Sequence, residues 1–303
     1  MARERKGNAK SSFITIILLI AAIVLVYYQG GNLSDWLNNR PAGAFRYTEG
    51  TVAVHFIDVG QGASTLIQSG SEGILIDAGE REYADTVIDY IKSCGVKKLV
   101  YVVASHPHSD HIGAMADVLN AIPAENILMP RLSESNTPTT KTYENLLNAV
   151  RKNKIKAIAA KYGKTYGIEN AQIEILGPLV QDSNLNNMSV VCRLKAFSTS
   201  FMLLADAEKA ELQTIFKQGA ELQSNILFMG HHGSSTSIYQ PFLNATKAKV
   251  AVISCGKGND YGHPHKEALK YIRDKKMECY RTDERSHIVF VCNDAGYQIQ
   301  TAA

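Results

Sequence analysis

The stretch LVYVVASHPHSDHIG, residues 99–113, constrains the fold more than any other. Its apolar, β-branched first half reads as a buried strand, and IGAMADVLNAI, residues 112–122, reads as a helix. His106, His108, Asp110 and His111 fall between them, in a strand-to-helix loop. Such loops are where a rigid scaffold holds functional groups. Of nine histidines in 303 residues, three lie within six positions here. Imidazoles bind transition metals, and carboxylates add charge and can bridge ions. His106 and His108, two apart in an extended loop, can both turn toward one ion. Asp110 and His111 are displaced along the chain and can reach a second. The spacing suggests two adjacent metals; a solvated polar loop is the alternative.

The rest of the chain supplies two sets of strands. TVAVHFIDVG, residues 51–60, alternates in the strand manner, and ASTLIQ and GILIDAG follow as short strands. Residues 83–94 have helical spacing. Later strands are expected in ENILMP, IEILGP, MSVVCRLK, SFMLLAD, NILFMG, KVAVISCG, MECYRT, HIVFVCN and GYQIQT. Helices are expected in TYENLLNAVRKN, AEKAELQTIFKQ and KEALKYIRDK, and near 237–244. Hairpin-like order early and strand–helix alternation later predict α/β (α+β) architecture, with two sheets and helices outside. Five cysteines without CxxC spacing read as buried free thiols.

The first fifty residues differ. Residues 1–10 form a basic leader, and FITIILLIAAIVLVYY, Phe13 to Tyr28, carries no charge. Sixteen helical residues span ~24 Å, and flanking residues extend the helix toward a bilayer core. No small-residue cleavage pattern follows, so an uncleaved signal anchor over 11–28 is expected. The basic start would stay in the cytoplasm, which places the catalytic domain outside the cell membrane on a single span. Residues 29–50 read as a linker and 51–303 as one domain. Residues 50–303 carry 26 basic and 26 acidic residues, so bulk charge gives no attraction to nucleic acid.

The pattern HxHxDH is that of the metallo-β-lactamase superfamily. HFIDVGQGASTLI, GILIDAG, LVYVVASHPHSDHIG, NNMSVVCRL, FMLLADAE, LFMGHHGSS, NDYGHP and YRTDERSHIVF then occur in order. Together they resemble the C-terminal hydrolase domain of the ComEC family of DNA-uptake competence proteins and its stand-alone relatives. The resemblance covers nearly all of 51–302. It implies an αββα sandwich with the metal site at one sheet edge. His106 and His108 would hold a first ion and Asp110 and His111 a second. Asp206 would bridge them. His231, or its neighbour His232, would complete the second, with His231 favoured. Asp110 and His263 are the expected catalytic residues. His232, Ser234, Asn187 and Asp58 are expected around the ligands or substrate, Asp58 as a partner that fixes a ligand ring. Simple turn chemistry competes for Asp58, and is favoured for Asp77.

Two departures bear on the chemistry. Relatives often read GQGD where this chain has Ala63. Lactamases also place a third histidine on the first ion, yet none occurs between His111 and His231. Asn186, Asn187 and Ser189 occupy that region. An amide oxygen is a harder ligand than imidazole, which would favour manganese or magnesium over zinc. The expected cofactors are thus two divalent ions, Zn or Mn. The expected activity is metal-dependent hydrolysis of a phosphodiester, with DNA as substrate. Another substrate class (β-lactam, ester or thioester) and a non-catalytic metal-binding module are the alternatives. The basic run 151–164, with Tyr162 and Tyr166, reads as a solvated helix end and edge strand before it reads as a DNA surface. The membrane is the other expected partner, through the N-terminal helix, and no protein partner is predictable.

Overall fold

Two β-sheets face each other across a shared apolar core. The structure is a computed structural model that describes residues 45–301. The first sheet has eight strands in the order β15-β14-β1-β2-β3-β4-β5-β6. Its members are β1 (Val52–Phe56), β2 (Thr65–Ser69), β3 (Glu72–Ile76), β4 (Lys98–Val103), β5 (Ala124–Met129), β6 (Lys156–Ala159), β14 (Ile288–Asn293) and β15 (Gly296–Thr301). The second has seven, β13-β12-β11-β10-β9-β8-β7. These are β7 (Thr165–Ile168), β8 (Ala171–Ile175), β9 (Cys192–Ala196), β10 (Thr199–Leu203), β11 (Ile226–Phe228), β12 (Val250–Ile253) and β13 (Glu278–Arg281).

Alternate residues of the strands build the core. Val52, Val54 and Phe56 of β1 meet Phe201, Phe228 and Phe290, with the Phe56 and Phe228 rings 4.9 Å apart. The intervening residues also bury, because helices cover the outer faces. On the second sheet, Met202, Leu227 and Ala251 belong to one cluster with Leu212 and Ile215 of α5 (Lys209–Gln218), Phe242 and Leu243 of α6 (Gln240–Thr246), and Ile272 of α7 (Lys266–Asp274). On the first, α1 (Ala84–Ser93) buries Val87, Ile88 and Ile91, and α4 (Lys141–Lys152) buries Leu146 and Val150. A strand covered on both sides needs apolar residues at both parities, which is why LVYVV is a continuous run rather than an alternating one.

Strand direction positions the site. β3 to β6 run parallel, as do β10 to β13. The loops after β3, β4, β10, β11 and β12 therefore gather at the carboxyl ends of their strands, where α/β sheets bind ligands.

Two expectations need correction. The helix expected over 112–122 is two pieces, α2 (Ser109–Ile112) and α3 (Met115–Ala121). A Cβ on Gly113 would lie 2.5 Å from Ser109 O and 2.6 Å from Arg81 N, and Ala114 N donates outward to Gly79 O. The chain is pressed against the turn after β3 there. The basic run 151–164 is, as expected, a solvated helix end and an edge strand: it leaves α4 at Lys152 and passes through β6 at the edge of the first sheet, with Lys161 and Lys164 beyond it. Tyr166 packs on Tyr101 at 5.4 Å and is not free to stack on a base. All five cysteines are free, but Cys279 is exposed rather than buried. The expected anchor over 11–28 and most of the 29–50 linker lie outside the described residues. Among the described residues no helix is long and apolar enough to cross a membrane.

Candidate metal centre

Asp77, at the end of β3, organises the site from below. It is buried, with a backbone φ of +59°. Its Oδ1 accepts from Ser105 N at 2.8 Å, and its Oδ2 accepts from Ser105 Oγ at 2.6 Å and from His111 Nδ1 at 2.7 Å. Ser105 has spent its proton on Asp77, so its oxygen accepts from His106 Nδ1 at 3.1 Å. One carboxylate thus orients two histidine rings, one directly and one through a hydroxyl. His232 is held the same way by a carbonyl, with Nδ1 donating to Ser254 O at 2.9 Å.

In all three rings Nδ1 carries a proton outward, so Nε2 is the nitrogen turned to the cleft. His111 Nε2 lies 3.1 Å from Asp206 Oδ1 and 3.7 Å from Asp110 Oδ2. His232 Nε2 lies 3.0 Å from Asp110 Oδ2 and 3.6 Å from Asp206 Oδ2. His106 Nε2 lies 3.1 Å from His108 Nδ1 and 3.8 Å from Asp206 Oδ2. Where such a nitrogen faces a carboxylate, lone pairs face lone pairs, and a proton or a metal ion between them relieves the repulsion; His106 Nε2 can instead accept from His108 Nδ1. His111 Nε2 and Asp206 Oδ1 are buried and make no well-formed hydrogen bond. Unpaired buried atoms of this kind fit the ligands of a cation. Asp110, His111, Asp206 and His232 each offer one ligand atom, all within 4.8 Å of one another.

The electrostatics agree. Burial opposes a charge on His111, but Asp206, Asp77 and Asp110 outweigh it and hold the ring well above the ordinary imidazole range. Burial likewise opposes a charge on His232, and Asp206 and Asp110 raise it. Burial and the neighbouring His111 push His106 well down. Asp110 and Asp206 resist protonation despite burial, because His111 and His232 hold both carboxyls below the usual range. The pocket keeps its acids ionised and draws positive charge inward.

Backbone strain is concentrated here. Asp77, Ala205, His231 and His232 all have positive φ, of +59°, +45°, +50° and +55°. Non-glycine residues pay for this conformation, and such strain clusters at functional sites. In the GHHG turn it sends the two histidines apart. The sequence favours His231, but it is His232 that joins the four-residue cluster. His231 is more exposed and lies 3.6 Å from Asp206 Oδ2, with Nδ1 at Thr236 Oγ1 and Glu208 Oε1.

The remaining expected residues divide. His263 is brought into the cleft, lowered to about 4 by burial and by His232, His231 and His265. Asp58 makes no hydrogen bond to a ligand ring: its Oδ1 accepts from Gly60 N, and its own N–H donates to His287 Nδ1. The ring-fixing role expected of it has the geometry of Asp77. Asn187 points away, its Oδ1 accepting from Glu208 N and Glu211 N at the start of α5. Ser234 caps a short turn by accepting from Thr236 N. Asn186 lines the cleft with its Oδ1 buried and unpartnered, while its Nδ2 donates to Glu208. Asp77 and Ser105 are what sequence reasoning missed. The one sequence signal for Asp77 was its place just after an apolar strand, which Asp58 shares.

The metallo-β-lactamase superfamily model matches residues 57–180. The metallo-β-lactamase-fold protein YhfI from Bacillus subtilis superposes with a TM-score of 0.51 at 16% identity, covering 80% of this chain and 99% of that one. This chain has the metallo-β-lactamase fold. CmlA from Streptomyces venezuelae, a diiron β-hydroxylase, superposes on it with a TM-score of 0.55 at 12% identity, over 80% of this chain and 54% of that one. By sequence the chain resembles competence proteins. ComE operon protein 3 of Bacillus subtilis is 27% identical over 78% of the chain, and competence protein ComA of Neisseria gonorrhoeae 28% identical over 95%. Recombination protein 2 of Haemophilus influenzae is 27% identical over 77%. The matches take up 32%, 40% and 28% of those proteins, so the chain corresponds to less than half of each.

Proposed function

We propose that this chain is a membrane-anchored hydrolase that uses two divalent metal ions to cleave DNA phosphodiesters outside the membrane. On this reading the anchor is 11–28 and the hydrolase domain 51–303. The observation that carries it is the convergence of inward nitrogens from His106, His111 and His232 on the carboxylates of Asp110 and Asp206. His106, His108 and Asp206 would hold one ion, and Asp110, His111, Asp206 and His232 the other. Zinc and manganese both suit this nitrogen–oxygen donor set. When bound, such a pair supplies an activated water and polarises the substrate oxygen that gains charge.

The chain's own residues do the rest. Asp77, Ser105 and the Ser254 carbonyl fix the ligand rings before any ion arrives, so little reorganisation is left for binding. The cleft holds about 560 Å³ and is partly open to solvent, as a polymeric substrate requires. Tyr261 lines it at 68% exposure and offers a face on which a base can stack. Lys161 and Lys164 are exposed beyond the carboxyl end of β6 and can meet phosphates. The choice of DNA is supported by the competence relatives, which this chain resembles along most of its length.

Supercoiled plasmid and a chromogenic β-lactam, each incubated with the full chain and Mn²⁺ or Zn²⁺, test the reading. The expected result is plasmid nicking that Asp206→Asn abolishes. Lactam turnover with intact plasmid would replace the substrate class. Nicking that survives Asp206→Asn would remove the bridging role.

A further inference from the structure

Gln61 sits just after β1, with its amide between Gly256 and His263. A backbone N–H can only donate, so the atom that meets Gly256 N at 3.1 Å is Oε1. The opposite end of the amide is then the donor Nε2, and it faces His263 Nδ1 at 3.3 Å. Two donors cannot share that contact. Nδ1 is therefore bare, the ring is neutral, and its one proton is on Nε2. The approach is close: a Cβ on Gly256 would lie 2.8 Å from Gln61 N.

The ring is also held in place by its backbone and its face. His263 N donates to Asn259 Oδ1 at 2.9 Å, and Asn259 Nδ2 donates back to His263 O and to Gly256 O at 2.6 and 2.9 Å. Tyr261 stacks on the imidazole at 5.7 Å with planes 15° apart. Nε2 has no hydrogen-bond partner among the described residues, and both Gln61 and His263 line the cleft that holds the ligand cluster. The His263 ring is 5.5 Å from that of His231 and 6.0 Å from that of His232.

We propose that Gln61 is a positioning residue that locks His263 as its Nε2–H tautomer, making the ring a neutral hydrogen-bond donor to an anionic oxygen of the substrate. The role toward substrate rests on the hydrolase reading above; the tautomer does not. A fixed neutral donor stabilises charge that develops beside it without giving up a proton. It cannot take a proton at Nε2, so it is not a general base there.

Long-range ¹H–¹⁵N correlation spectra of the full chain, labelled at histidine nitrogens, test the tautomer at neutral pH. His263 is assigned as the signal set lost in His263→Ala. The expected pattern is a bare Nδ1 and a protonated Nε2. Gln61→Glu replaces the donor by an acceptor while keeping an oxygen for Gly256, and should put a proton on Nδ1. A protonated Nδ1 in the parent chain, or no change in Gln61→Glu, overturns the proposal. With plasmid as substrate, His263→Ala should lower kcat about 100-fold, the scale for removing one such donor, with bound metal unchanged. Full turnover in His263→Ala overturns the substrate role alone. A parent chain that cleaves no phosphodiester removes that role together with the hydrolase reading, and the spectra still decide the tautomer.

Discussion

Ile57-Asp58-Val59-Gly60 and Ile76-Asp77-Ala78-Gly79 are nearly the same tetrapeptide, each at the end of a strand in the same sheet. Their aspartates have opposite fates. Asp58 is half-buried and accepts from the N–H two residues on. Asp77 is buried and holds Ser105 and His111. The neighbouring strand decides. β3 runs parallel to β4, so the loop leaving β4 emerges beside Asp77. β1 lies between antiparallel partners, β14 and β2, so no parallel neighbour sends a loop out beside Asp58; the chain leaving β1 reaches the histidine loop only farther on, where Ala63 N donates to Asp110 O. A carboxylate's role is thus set by strand direction, which no local motif records.

The largest expected effect comes from breaking the Asp77 corner. Asp77→Ala leaves three buried donors unpaired and frees two ligand rings. Metal affinity should fall by about 100-fold or more, and unfolding free energy by about 3–5 kcal/mol. Calorimetric titration with Mn²⁺ and urea unfolding of the metal-free chain measure the two separately.

Two buried histidines extend the comparison. His111 has carboxylates beside it and is raised. His55, on β1, has Tyr90 Oη at 3.0 Å and Gln68, and burial lowers it to about 3. The unfolded chain takes up a proton on His55 as pH falls through about 6.5, whereas the folded chain does not until about 3. Its contribution is present above 6.5 and is lost as pH falls toward 3. The loss by pH 4 should be about 3 kcal/mol. Urea midpoints of the parent and His55→Gln, compared at pH 7 and pH 4, should converge on acidification.

Ser105→Ala cuts only the indirect tether. His106 loses its acceptor while His111 keeps Asp77, so the ion on His106 should weaken about tenfold and the other far less. A Mn²⁺ titration that resolves two steps would reveal it. Asp58→Asn is the control for the comparison, because an amide oxygen still accepts from Gly60 N. It should change stability by less than about 0.5 kcal/mol and leave metal binding unaltered in the same titration.

The regular structure was legible where a pattern depended on its own residues. LVYVVAS, NILFMG and KVAVISCG read as strands because both their faces are covered, and HxHxDH announced metal chemistry by ligand type and spacing. What stayed hidden depended on distant chain. Gly113 breaks a helix because the turn after β3 presses on it. His232 rather than His231 joins the four-residue cluster, in a GHHG turn with positive φ at both residues, which no side-chain pattern reveals. Asn186 and Asn187 are alike in sequence, yet one lines the cleft and the other holds the start of α5.

On the function proposed above, one preformed cluster of nitrogens and carboxylates holds two cations, with Asp206 shared between them. Native mass spectrometry of the full chain titrated with Mn²⁺ tests it most directly. The expected result is about two ions per chain, and at most one in folded Asp206→Asn. A folded parent chain that takes up no stoichiometric metal, or an Asp206→Asn variant that still holds both ions, would contradict it.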